Sequence, residues 1–72
     1  MTRAKRKEER ERRSSAVREL LDLQDSLAGA YSAFNHTADP ALLEASILEI
    51  GALQSRYNSA LRRLKVLMST AL

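Results

Sequence analysis

The sequence contains no cysteine and no tryptophan, one proline, two glycines, one phenylalanine, two tyrosines and one histidine. Without cysteine, neither a disulfide framework nor a thiolate metal site can brace the chain. So few prolines, glycines and aromatics leave little material for tight hairpins or strands. The lone His36 has no ligand cluster for a metal and no nucleophile placed beside it by spacing, so it reads as a solvated turn residue. No glycine-rich phosphate loop, H-E-x-x-H pattern or useful internal repeat occurs. Glu44 and Glu49 belong to no Glu-x-x-His motif, which removes a di-iron bundle site. No apolar run approaches the roughly 20 residues that span a bilayer. The first thirteen residues, charged throughout, lack the apolar stretch and small-residue cleavage pattern of a signal peptide. A cytoplasmic protein is expected, with no catalytic residue, cofactor, metal or small-molecule substrate.

What the chain does have is helix-forming material. Ala, Leu, Glu, Arg and Ser dominate its 72 residues, so the expected fold class is all-α. A chain of this size recovers only a few kcal/mol from its own core, and oligomerisation is the usual remedy.

One strong break interrupts the helical pattern, at Asn35-His36-Thr37-Ala38-Asp39-Pro40. Asp39 followed by Pro40 predicts an N-cap with proline at the first helical position, where its missing N–H costs nothing. Asn35 tolerates the left-handed conformation and so is a candidate C-terminal stop for the preceding helix. The expected organisation is a basic, fraying or disordered tail over 1–14 and an antiparallel helical hairpin over 15–72. Its helices should occupy about 15–35 and about 40–68, with the turn at 35–39. At 1.5 Å per residue the second helix would be roughly 43 Å long.

In the first helix Leu20, Leu23, Leu27, Ala30 and Phe34 form an apolar seam, widened on one flank by Val17, Leu21, Ala28 and Tyr31. In the second, Leu43, Ile47, Ile50, Gln54, Tyr57, Leu61, Leu64 and Met68 recur at alternating spacings of four and three, which predicts a heptad seam. Folding at Thr37 should bring Phe34 and Tyr31 near Leu43, Leu27 near Ile47 and Ile50, and Leu20 near Gln54 and Tyr57. Tyr31 and Tyr57 are expected in the core with hydroxyls at the rim. Gln54 either fixes register by pairing with Gln24 or its symmetry mate, or lies at the seam edge with its amide in water. Gly29 and Gly51 lie within helices at a cost of up to about 1 kcal/mol each, for which close helix approach is the expected reason. The seam is too wide for one partner helix. A dimeric four-helix bundle, or a partner protein's helix, should cover the rest, with Leu20, Leu23, Leu27, Phe34, Leu43, Ile47, Ile50, Gln54, Tyr57, Leu61 and Leu64 at the interface.

Charge is segregated along the hairpin. Residues 1–13 hold seven cations, Arg3, Lys5, Arg6, Lys7, Arg10, Arg12 and Arg13, against Glu8, Glu9 and Glu11. From Glu19 to Ser55 there is neither Lys nor Arg, and six carboxylates fall there. The turn end is therefore acidic and the open end basic, which favours antiparallel self-association, turn to open end. Arg62, Arg63 and Lys65 join the tail as candidate contacts to a polyanion, although cations near a helix C-terminus also serve its dipole. The tail offers no aromatic for base stacking and no Asn or Gln for base edges, so any nucleic-acid binding should ignore sequence.

The run Phe34-Asn35-His36-Thr37-Ala38-Asp39-Pro40-Ala41-Leu42-Leu43-Glu44, with Ile47, Glu49, Arg56-Tyr57 and Leu61-Arg62, resembles the YaaL-like family of small bacterial helical proteins. The resemblance spans about residues 20 to 65. Leu48 and Gly51 stand where that family more often has Tyr and Asn, so roles carried by those polar groups are not expected here. The resemblance implies a short helical protein without a recognised activity, and the family's frequent neighbourhood to a recombination-mediator gene points toward a DNA-linked role. The expectation from all of this is a non-catalytic helical interaction module, and the alternative is a polyanion binder working through the basic open end.

Overall fold

The computed structural model describes residues 2–70 as two antiparallel helices, α1 (Arg3–Asn35) and α2 (Pro40–Thr70). They form a rod of 56 × 14 × 13 Å. The all-α hairpin expected from composition and periodicity is what the chain adopts.

The turn is built by its own side chains. Asp39 Oδ1 accepts from the Ala41 N–H at 2.9 Å, and the Asp39 carbonyl accepts from Leu43 N–H at 2.9 Å, which caps α2 ahead of Pro40. Thr37 Oγ1 accepts from the Asp39 N–H at 3.2 Å, tightening the approach. At the other side of the turn α1 ends without a left-handed residue: no non-glycine residue among those described has positive φ. His36, not Asn35, is the cap. Its backbone N–H is shared between the carbonyls of Ser32 and Ala33 at 3.1 and 3.3 Å, and its ring Nδ1–H donates to the Ser32 carbonyl at 2.7 Å. Orphan carbonyls are thus satisfied from one side chain and one amide, and a glycine-like conformation is unnecessary.

At its N-terminus α1 begins at Arg3, where the sequence suggested a fraying or disordered tail up to residue 14. Thr2 caps it, accepting from the Lys5 N–H at 3.2 Å, and Arg6 N–H reaches the Thr2 carbonyl at 3.1 Å. Ala, Arg, Lys and Glu are among the best helix formers, and with a cap in place they continue the helix despite three cations near its start, Arg3, Lys5 and Arg6, that oppose its dipole.

Two cross-helix bonds set the register. Gln24 Nε2 donates to the Tyr57 hydroxyl at 3.3 Å, and Arg63 NH1 donates to Glu19 Oε2 at 2.7 Å. That register places Ala16 at the level of Leu64, Leu20 of Ala60, Leu23 of Tyr57, Leu27 of Leu53, Ala30 of Ile50 and Phe34 of Ser46. Most layers pair a large residue with a small one, so the axes can approach closely and the small members are covered: Ala60 is 1% exposed, Ala30 5% and Ser46 8%. Leu53 is the large residue most deeply buried.

The α1 seam is the expected one: Leu20, Leu23, Leu27, Ala30 and Phe34 all face α2, joined by Ala16. The α2 seam is shifted. Leu43, Ile50, Tyr57 and Leu64 hold their expected places, but the alternate positions are Ser46, Leu53, Ala60 and Leu67 rather than Ile47, Gln54, Leu61 and Met68. Of the latter, Leu61 is half-buried and the other three are exposed. The preference for large apolar residues caused the misplacement, because a close-packed pair needs small residues at alternate layers. The contacts move with it: Leu27 lies opposite Leu53, and Leu20 opposite Ala60.

Candidate functional site: two faces and a basic extension

Antiparallel packing gives the hairpin two unlike broad faces. On the first, α1 presents Ser15, Glu19, Asp22 and Ser26, and α2 presents Ser55, Arg56, Ser59 and Arg63, lining a shallow groove with Arg18 and Leu23. Glu19 and Arg63 form the single ion pair among the described residues, and Arg62 donates to Ser59 Oγ at 3.3 Å. The Glu19 and Arg63 side chains are 43% and 58% exposed, so water screens the pair and it adds well under about 1 kcal/mol. The groove holds three arginines, Arg18, Arg56 and Arg63, against two carboxylates, Glu19 and Asp22, and His36 lies at the far end of the rod.

The opposite face is apolar. Val17, Leu21, Ala28 and Tyr31 from α1 share it with Ile47, Leu61 and Met68 from α2, and all but the half-buried Leu61 are exposed. Heptad geometry brings it about: residues one place beyond the seam on two antiparallel helices fall on the same side of the pair. Val17 and Leu61 lie at one level, Gln24 and Gln54 at the next, and Tyr31 and Ile47 at the third. The Val17 end continues into a groove with Met68, Arg10, Arg13, Ser14 and Arg18. The Gln24 and Gln54 level divides the face's apolar residues into two groups, one toward the open end and one toward the turn. Other exposed large residues, Leu42, Leu48 and Val66, occupy different helical positions and do not join it.

The central glutamines of this face are engaged locally, Gln24 with Tyr57 and Gln54 Nε2 with Asn58 Oδ1 at 3.3 Å. Tyr57 therefore has the expected disposition, ring in the seam and hydroxyl at the rim, whereas Tyr31 is 47% exposed on the open face. Gly51 also borders this face. A Cβ added at Gly51 or at Gly29 would meet nothing within 4 Å, so close approach of α1 and α2 explains neither glycine.

The third feature is the extension of α1. In the register above, Thr70, the last described residue of α2, lies near the level of Arg10, so residues 3–9 extend beyond the described part of α2. Arg3, Arg6, Arg10 and Arg13 line one side of it, with Glu9 among them. Lys5, Lys7 and Arg12 lie on other sides, and Arg62, Arg63 and Lys65 of α2 stand at the same open end. The expected set of ten basic residues is thus at one end of the rod, but Arg63 is committed to Glu19.

Among the described residues, no group of three or more His, Asp or Glu side chains is placed to hold a metal ion, and no helix is long and apolar enough to cross a membrane. No family model, curated protein or solved structure matches the chain.

Proposed function

We propose that this protein is a non-catalytic helical interaction module. Its apolar face of Val17, Leu21, Tyr31, Ile47, Leu61 and Met68 packs against further helices, those of a second copy in a four-helix bundle or those of a partner protein. The observation that carries this reading is the exposure of that face by a hairpin whose seam is already filled: Ile47 is 57% and Leu21 54% exposed. Covering such residues returns roughly 25 cal/mol per Å2 of apolar surface, which is the stability a short two-helix chain lacks.

Sedimentation equilibrium tests it. The protein should exceed its monomer mass at micromolar concentration, and Ile47→Asp, which places a charge on the face and not in the seam, should be a helical monomer. A helical wild-type monomer that fails to associate at any concentration, with either itself or a cellular protein, refutes the proposal.

One observation favours a second role. Arg3, Arg6, Arg10 and Arg13 recur at spacings of three, four and three along the N-terminal part of α1, which suits a polyanion backbone with no sequence preference. Replacing all four with Gln should abolish retention of the protein on nucleic acid at low salt. Unchanged retention excludes it.

A further inference from the structure

Resting on the reading of the apolar face as a docking surface, we infer that its occupant is a second copy of this chain, packed turn end against open end. The first argument is the face's own near-symmetry. The Gln24 and Gln54 layer stands at its middle, with Val17 and Leu61 one heptad to one side and Tyr31 and Ile47 one heptad to the other. A two-fold axis through the glutamine layer, perpendicular to the helices, lays each α1 on the other α1 and each α2 on the other α2. Val17 then meets Tyr31 of the second copy, Leu21 meets Ala28, and Leu61 meets Ile47. In the two α1 pairs a large residue faces a smaller one, the α2 pair is aliphatic on aliphatic, and all neighbouring helices run antiparallel. The alternative, with both turns at the same end, sets Tyr31 against Ile47 and Ala28 against Gly51, large on large and small on small.

Charge decides between the two. Residues 25–55, the turn half, contain Asp25, Asp39, Glu44 and Glu49 and no cation. In the turn-to-open-end arrangement Glu44 on the rim of one copy meets Lys65 on the rim of the other, twice by symmetry. With both turns together, Lys65 meets Ser14 and Glu44 meets Asn35, so no opposite charges are paired, and the acidic turns are stacked. Gly51, which no contact within the hairpin requires, lies on the α2 row that the other copy approaches, opposite Asn58.

Single-cysteine variants in the otherwise cysteine-free chain test this directly, because Glu44, Lys65 and Ser14 are all exposed and outside the seam. Under mild oxidation, a mixture of Glu44→Cys and Lys65→Cys copies should form an intermolecular disulfide, and neither variant alone should. Glu44→Lys should weaken dimerisation roughly tenfold at low salt, and Glu44→Lys with Lys65→Glu should restore it. Crosslinking of Ser14→Cys with Lys65→Cys copies, and not of Glu44→Cys with Lys65→Cys, overturns the orientation but leaves the docking face standing. A wild-type chain that stays monomeric yet binds another protein through Ile47 overturns the second copy as occupant, again without removing the face. A helical monomer that binds nothing removes both.

Discussion

Leu53→Ala and Leu48→Ala are the same chemical change five residues apart on α2, and the structure assigns them opposite consequences. Leu53 is 8% exposed, opposite Leu27 in the seam, whereas Leu48 is 70% exposed. Truncating Leu53 removes three carbons from a covered position, at about 0.8 kcal/mol each, for a transfer loss near 2.4 kcal/mol. A cavity contribution adds to this, but two helices can partly collapse onto a small side chain, so a total of about 2–3 kcal/mol is expected, at the low end for Leu to Ala. That is a shift of roughly 30- to 150-fold in the folding constant, against a total stability of only a few kcal/mol. Leu48→Ala exchanges an exposed residue for the best helix former and should change stability by less than about 0.5 kcal/mol. Urea denaturation followed by circular dichroism at 222 nm, at one fixed protein concentration, separates them. Leu53→Ala should be largely unfolded or have a much lower midpoint, and Leu48→Ala should superimpose on the parent. Equal midpoints, or a larger loss at Leu48, would show that the seam phase is wrong.

The remaining expectations follow from the same geometry. Gly29→Ala, with open space for the added Cβ and a helical backbone, should raise stability by about 0.5–1 kcal/mol in the same urea assay. Asp39→Ala removes the acceptor of the Ala41 N–H and should cost about 1 kcal/mol, and Asp39→Asn should retain most of that contribution. Arg63→Met breaks the one ion pair among the described residues and should lower stability by less than about 1 kcal/mol, an effect that 0.5 M salt erases. Ala60→Leu inserts three carbons where a residue is 1% exposed and should destabilise by about 1–3 kcal/mol, since the larger side chain must push Leu20 and the α1 axis away.

The architecture was legible in the sequence because its signals are local. The Asp39-Pro40 cap, the break before it and the leucine periodicity of α1 each name an element without reference to its partner. The phase of α2 was not, because it depends on what the opposite helix offers. Ile47, Leu61 and Met68 make an apolar row as regular as the true one, and a preference for large residues selects it. The discriminating signal lay in the small residues: Ala16 and Ala30 on α1, and Ser46 and Ala60 on α2, recur two heptads apart and mark where large side chains are received. The row mistaken for part of the seam is in turn the open face, so one displaced set of residues carries both the correction and the functional proposal. The extension of α1 to Arg3 was only partly legible, as a fraying stretch, for another reason. Its basic first turn argues against a helix start, and only the Thr2 cap, together with good helix-forming composition, offsets that.

In the proposed assembly Ile47 lies on a face covered by other helices, while its sequence neighbour Leu48 does not. Alkylation kinetics of Ile47→Cys and Leu48→Cys, each in the cysteine-free chain, measure it most directly. In dilute solution, where both side chains are exposed, the two thiols should react at similar rates. As protein concentration rises through the micromolar range, the thiol at position 47 should become progressively protected and the one at 48 should not. Equal rates for the two at every concentration, and in the presence of cell extract, would contradict it.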